Sequence, residues 1–134
     1  AAGVEVTRSE YGITLTVPDQ VFFASGQAKL SSRGQGVLRQ IARILNQSTN
    51  AKQLVRVDGH TDDVPIVGSA QFADNWELSQ ARALSVVRYM INFLGIAPER
   101  LAANGFGQFQ PVDPGTSEAA RARNRRIELK LTEK

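Results

Sequence analysis

Three short clusters hold the side chains whose types and spacing could do chemistry. Gly59-His60-Thr61-Asp62-Asp63-Val64-Pro65-Ile66 puts two adjacent carboxylates beside a hydroxyl and the chain's one histidine. Asn75-Trp76-Glu77-Leu78-Ser79-Gln80-Ala81-Arg82-Ala83 combines a side-chain amide with a guanidinium. Arg121-Ala122-Arg123-Asn124-Arg125-Arg126 sets four arginines in six positions. Each cluster falls at the end of a predicted regular element, where a rigid scaffold presents side chains to a ligand.

Arg82 is the most informative of these residues. At about 100° per residue, the polar side of its helix runs through Ser85, Arg88 and Asn92. Arg82 lies instead about 40° from Leu78 and about 20° from Tyr89 and Phe93. A guanidinium among such neighbours is partly desolvated and requires an anionic partner. Two partners are open at this point. One is an internal acid, with the arginine snorkelling along its helix. The other is a carboxylate from outside the protein.

In the second case Asp62 or Asp63 completes a clamp for a zwitterion. The aspartate accepts from an ammonium while Arg82 grips the attached carboxylate in bidentate fashion. Asn75, with donor and acceptor on one amide, can bridge the two ends. Adjacent carboxylates usually point different ways, so one is expected to cap a turn and the other to face solvent.

His60 beside Asp62 and Asp63 also raises a metal-dependent hydrolase. Zinc sites recruit ligands from several elements, and the chain has no second histidine and no cysteine to complete a set. No serine sits in a Gly-x-Ser-x-Gly elbow. A structural histidine, no metal, no cofactor and no catalysis are therefore expected. The arginine run invites a nucleic-acid reading. Against it, Glu118 and Glu128 flank the run and no aromatic-laced strand offers a stacking platform. Nucleic acid is not expected; the arginines should pair with local acids and with anionic ligand groups.

The elements that must position these residues follow from hydrophobic periodicity. Val4-Glu5-Val6-Thr7 and Ile13-Thr14-Leu15-Thr16-Val17 alternate as half-buried strands, joined by a Ser9-Glu10-Tyr11-Gly12 turn into a hairpin that Pro18 ends. Ser32-Arg33-Gly34-Gln35 has capping-box spacing, with Ser32 as the cap. Val37, Leu38, Ile41, Ile44 and Leu45 then form one helical face, with Arg39 and Arg43 opposite. Leu54 to Gly59 reads as a strand whose charges begin where it leaves the core. A long helix runs from about Trp76 to Leu94 and closes on Gly95. Leu101 to Gly107 is a strand ending in glycine turns, Gln110 to Ser117 a loop, Glu118 to Arg123 a helical turn, and Ile127 to Leu131 the last strand. Strands alternating with helices predict an α/β (α+β) sandwich with helices packed on one face of a mixed sheet.

Composition bounds the rest. At 134 residues the chain makes one domain, 1–134. Sixteen basic and 13 acidic residues leave a net charge of only +3, and 12 of the 16 cations are arginine, the side chain suited to forked pairing with carboxylate or phosphate. Apolar and charged fractions of 42% and 22% exclude an acidic disordered tail or a collagen-like repeat. No run reaches the roughly 18 apolar residues of a membrane span. Without cysteine there is no disulfide frame, thiolate zinc site or cysteine nucleophile. The opening Ala1-Ala2-Gly3, without methionine, is expected of a mature protein or a piece of a longer one.

At the three clusters the chain resembles the OmpA-like (OmpA/MotB C-terminal) peptidoglycan-binding domain, and the likeness covers nearly its whole length. The matching motifs are Gly59-His60-Thr61-Asp62, Asn75-x-x-Leu78-Ser79-x-x-Arg82-Ala83, Gly105-Phe106-Gly107 with Pro111, and Asn124-Arg125-Arg126-Ile127-Glu128. Val21-Phe22-Phe23-x-x-Gly26-x-Ala28-x-Leu30 is similar to the family's segment between first strand and first helix. Within the family the MotB branch, flagellar stator proteins, is the most similar, through Asp63-Val64-Pro65-Ile66, the longer insertion to Phe72 and Asn75-Trp76-Glu77-Leu78-Ser79. Type VI secretion anchors share part of the last pattern.

The resemblance implies a βαβαββ fold on a mixed four-stranded sheet, with residues 1–11 as an N-terminal extension. It also implies non-covalent binding of peptidoglycan stem peptides at diaminopimelate. By motif position, Asp62 would hold the diaminopimelate ammonium and Arg82 its carboxylate. Asn75 and Arg125 would complete the pocket, with Thr61 as support. Periplasmic residence, an inner-membrane tether outside this chain, homodimerisation and a MotA-like membrane partner are further implications. A type VI secretion anchor, or an outer-membrane OmpA/Pal-type anchor, is the alternative.

Overall fold

The computed structural model describes residues 3–10, 12–47, 53–66 and 69–132. Ala1, Ala2, Tyr11 of the expected turn and positions 67–68 of the insertion lie outside the described residues. The elements are β1 (Glu5–Ser9), β2 (Gly12–Pro18), α1 (Asp19–Phe22), α2 (Ser32–Leu45), β3 (Leu54–His60), α3 (Asn75–Leu94), β4 (Leu101–Gly105), α4 (Glu118–Asn124) and β5 (Arg126–Thr132), with a 3₁₀ turn at Pro98–Arg100. The expected helices and strands are all present. The sheet has five strands in the order β1-β2-β5-β3-β4, because β1 adds to the edge of the expected four. The β3–β4 pair is parallel and the other pairs antiparallel, so the sheet is mixed.

The period-two pattern sorts the two faces. Val17, Val55, Val57, Ile127, Leu129 and Leu131 point to one side and join Phe22, Leu38, Ile41, Leu45, Val86 and Met90 in a single core. Intervening positions on β3 and β5 carry Arg56, Asp58 and His60 beside Lys130, Glu128 and Arg126 in antiparallel register. Asp58 corrects one expectation: it lies fully buried at 0% exposure rather than where the strand leaves the core. Arg56 and Asn104, on neighbouring backbone positions, supply the donors that make this burial tolerable.

β1 corrects another expectation, since it is exposed at every position rather than half-buried. Its pattern alternates properly, but the core ends at β2, so the apolar side of an edge strand has little to cover it. The cap of α2 moves by one residue. Ser31, not Ser32, has the extended backbone of a cap, and its hydroxyl accepts from the Gly34 amide at 3.0 Å. On α2, Ile44 is half-exposed although it shares the apolar face, while Arg39 and Arg43 point outward as expected.

Two glycines let α3 reach the sheet. A Cβ on Gly59 would stand 2.3 Å from the Ser79 carbonyl oxygen, and one on Gly105 would stand 2.4 Å from the Gln80 amide nitrogen. Side chains at either position would push the helix away and misplace every residue on its first turns. At its start α3 is capped by Asp74, whose carboxylate accepts from the Glu77 amide, and at its end by Gly95 at φ 70°.

Candidate functional site

All five expected site residues line one cavity of about 550 Å³ at the C-terminal end of β3. Its walls come from α1 and the loop after it (Asp19, Phe23), the loop after β3 (Thr61, Asp62, Val64), the first turns of α3 (Asn75, Leu78, Arg82), and α4 with the residue that caps its end (Glu118, Arg125). Four separate stretches of chain thus converge on it, and the contacts that hold it are long-range.

Arg82 is buried, as its helical position requires, and it is not waiting for a partner. Its NH1 donates to Asp19 Oδ2 at 2.5 Å, Nε to the Gln27 carbonyl at 2.8 Å and NH2 to the Ala24 carbonyl at 3.2 Å. The Phe23 ring lies beneath the guanidinium carbon, 5.0 Å from centroid to carbon. Of the two partners the sequence left open, the internal acid is present. Asp19 is the internal acid, supplied where Pro18 ends β2 and the chain turns into α1. One N–H on each terminal nitrogen has no partner among the described residues, and the side chain still forms part of the cavity wall.

Asp62 does not face Arg82 directly. Its Oδ1 accepts from the Val64 amide at 3.0 Å, closing a tight turn, and its Oδ2 takes Arg125 NH1 at 2.7 Å. The other end of Arg125 reaches Glu118 Oε2 at 2.5 Å, so one guanidinium bridges two acids. Glu118 is consequently held below the usual carboxylate range, first by the Arg125 hydrogen bond and then by its charge. Asp63 points elsewhere, to Arg121 Nε at 2.8 Å. Adjacent carboxylates do diverge, but the turn-capping one is also the cavity-lining one.

Asn75 serves the loop more than a ligand. Its amide nitrogen donates to the carbonyls of Val64 at 3.1 Å and Asp62 at 3.4 Å, and to Gln108 Oε1 at 3.3 Å. Thr61 is buried, with its amide on the Gly107 carbonyl and its hydroxyl on the Asp62 carbonyl, both at 2.9 Å. These two residues fix the backbone that carries Asp62. Sequence reasoning missed Asp19 and gave Glu118 only a flanking role. The requirement for an acid near Arg82 was visible; which of 13 acids met it was not.

The cavity's charged lining comprises Asp19, Asp62 and Glu118 against Arg82 and Arg125, so 2 − 3 leaves a net −1. An ammonium-bearing group balances that surplus, while the open N–H groups of Arg82 suit a carboxylate on the same molecule. The remaining arginines of the third cluster also pair locally, Arg121 with Asp63, Arg123 with Asp113 and Arg126 with Glu128.

The expected competing set, His60 with Asp62 and Asp63, is not assembled. Among the described residues the acids that converge with His60 are Asp58 and Glu128, on the sheet face away from the helices. His60 is buried and stacked on Phe106 at 5.2 Å and 9°, and neither ring nitrogen has a hydrogen-bond partner among the described residues. Burial, then the Arg126 charge, pushes its pKa from 6.5 to about 4, so the imidazole is neutral at pH 7. A neutral imidazole can ligate metal, but its surroundings oppose a dication. Asp58 is gripped by Arg56 at 2.9 Å, Glu128 by Arg126 at 2.6 Å, and Lys130 lies 3.6 Å from the other Glu128 oxygen. Three cations against two acids leave the cluster at +1 before any ion arrives.

A mixed five-stranded sheet carrying α2 and α3, with a charged cavity at the C-terminal end of β3 and the start of α3, defines a class. The profile of the OmpA family matches residues 22–125, and the chain belongs to that family. It is 29% identical to Motility protein B of Bacillus subtilis over 126 residues, covering 94% of this chain and 47% of that protein. The solved MotB-like protein from Desulfovibrio vulgaris superposes with a TM-score of 0.90 at 38% identity, over 98% of this chain and 79% of that one. The cell wall anchor of the type VI secretion system from Pseudomonas aeruginosa gives 0.87 at 33%, over 98% and 89%. The chain spans about half the length of the curated relatives it matches.

Proposed function

We propose that this domain anchors a membrane protein complex to the cell wall by binding peptidoglycan without covalent chemistry, through the diaminopimelate of a stem peptide. The observation that carries the reading is the cavity itself: Asp62 and Arg82 line one concave site with an acid surplus of one. A diaminopimelate side-chain end bears an ammonium and a carboxylate on one carbon. In this reading the ammonium is taken by Asp62, the carboxylate by the open N–H groups of Arg82, and Arg125 shifts toward Glu118 as Asp62 is engaged. Asn75 and Thr61 hold the loop in place. The reading is non-enzymatic, and the similarity to a type VI wall anchor supports an anchoring role.

The test is retention on purified sacculi. Asp62→Ala should weaken retention roughly tenfold or more, the worth of a charge-assisted pair. Equal retention of wild type and Asp62→Ala discards the reading.

The MotB-like stator assignment, with periplasmic residence, an inner-membrane tether, a homodimer and a MotA-like partner, belongs to this proposal, supported by the motility-protein relatives. The alternative, a secretion or outer-membrane OmpA/Pal-type anchor, is favoured by the secretion-anchor similarity. The full-length protein decides: a membrane helix bearing an aspartate upstream of Ala1 marks a stator, and a lipidated cysteine marks an outer-membrane tether.

A further inference from the structure

Trp76 and Phe109 stack on each other at 4.9 Å and 22°, yet they are 49% and 57% exposed. Neither belongs to the core, and the pair is rigidly mounted. Trp76 sits on the first turn of α3 behind its Asp74 cap. Phe109 closes a turn by donating its amide to the Phe106 carbonyl at 3.2 Å. Gly107, at φ 58°, lies under both rings, with space for its absent Cβ only 3.5 Å from Trp76 and 3.6 Å from Phe109. A fixed, half-exposed aromatic shelf loses little conformational freedom when something flat lies on it.

The shelf adjoins the cavity. Asn75 lines the cavity wall, and its amide nitrogen donates to Gln108, the neighbour of Phe109 in sequence. The polar groups at this junction are neutral amides. The acids on the same turn are occupied, Asp74 by the Glu77 amide and Glu77 by the Ala73 amide. Beside a cavity of net −1, a polyanionic strand is disfavoured. A neutral pyranose fits: its axial C–H bonds present a weakly positive, apolar face to the negative face of an aromatic ring, and an N-acetyl group pairs with side-chain amides. Diaminopimelate is the third residue of a stem peptide, so the sugar bearing that stem lies within about 10 Å of it along an extended chain.

We infer that the Trp76–Phe109 shelf is a sugar subsite that stacks an N-acetylated, β-1,4-linked pyranose of the glycan strand while the cavity holds the stem peptide. The inference rests on the wall-binding reading for its setting, and its test separates the two. Trp76 is the chain's one tryptophan, so intrinsic fluorescence reports on the shelf alone. Chitotetraose, which has sugar and no peptide, should produce a saturable change that Phe109→Ala weakens and Trp76→Phe keeps in calorimetry. A disaccharide-tripeptide should bind about fivefold tighter than the free tripeptide, and Trp76→Ala should erase that preference while leaving tripeptide affinity intact.

No response to chitotetraose together with equal affinity for the two peptides overturns the subsite. A fluorescence change that depends on protein concentration without sugar also overturns it, because a second copy then covers the rings. If chitotetraose binds and the tripeptide does not, the shelf stands and the stem-peptide reading falls.

Discussion

Two clusters of buried charge stand on opposite sides of this sheet, and they are built differently. On the face away from the helices, Asp58, Glu128, Arg56, Arg126 and Lys130 are neighbours by strand register: two positions apart on one strand, or opposite one another across β3 and β5. Around the cavity, Asp19 meets Arg82 and Asp62 meets Arg125 across 63 positions of sequence in each case. The first cluster carries cations in surplus, although it too lines a cavity, of about 470 Å³. The second is left short of one cation and opens to a cavity. Buried arginine–acid pairs beside a cavity therefore do not by themselves mark a binding site; in the proposed reading it is the sign of the surplus that suits an ammonium.

The strongest challenge to the comparison is Arg82→Met. It takes the cation from a largely buried Asp19 and the side-chain donor from the Gln27 carbonyl, while the Ala24 carbonyl keeps the Gln27 amide, which costs about 3 kcal/mol. Thermal melting should fall by about 10 °C. Asp19→Asn keeps the arginine and its carbonyl contacts and should cost less. If Arg82→Met melts with the wild type, the cavity pair is as dispensable as a surface ion pair. Sacculus binding by any Arg82 variant must be read beside its melting curve, because this residue serves the fold as well as the proposed ligand.

On the opposite face the lever is pH. Folded His60 takes a proton only near pH 4, whereas an unfolded histidine takes one near 6.5. Glu128 and Asp58 pull that value up, but burial and Arg126 outweigh them. Between those values the unfolded chain binds the extra proton, so stability falls as pH drops from about 6.5 to 4 and levels off below. The total is at most about 3 kcal/mol. His60→Phe keeps a ring on Phe106 and cannot titrate. Urea unfolding of both proteins at pH 7.5 and 4.5 should show the variant gaining on wild type in acid. A constant difference would mean that the imidazole is hydrated rather than dry.

Local patterns made the element order legible, and helix angle alone placed Arg82 in the interior in need of an anion, without saying whether the protein or a ligand supplies it. What failed to show was set by tertiary context. The alternation of β1 looked like that of a half-buried strand, since nothing in five residues says that the core stops at the next strand. Asp58 read as the end of burial because its partners lie on other strands or two positions back. Asp19 follows a proline at a strand end, an ordinary helix-start signal that hides its pairing with Arg82. Ser31 and Ser32 are chemically equal as caps, and only backbone geometry chose between them.

The smallest expected effect comes from the residue next to the one that matters most. Asp63 carries the same carboxylate as Asp62 and is joined to it covalently, but its partner Arg121 stands outside the cavity lining. Exposed pairs of this kind add little, because two mobile side chains must be held in screened solvent. Asp63→Ala should therefore leave melting unchanged and sacculus retention within about twofold of wild type. Arg121→Ala should do the same, while Asp62→Ala loses retention. A matching loss for Asp63→Ala would mean that the ligand reaches across both carboxylates. The distinction between a cavity acid and a solvent acid would then give way to one continuous acidic rim.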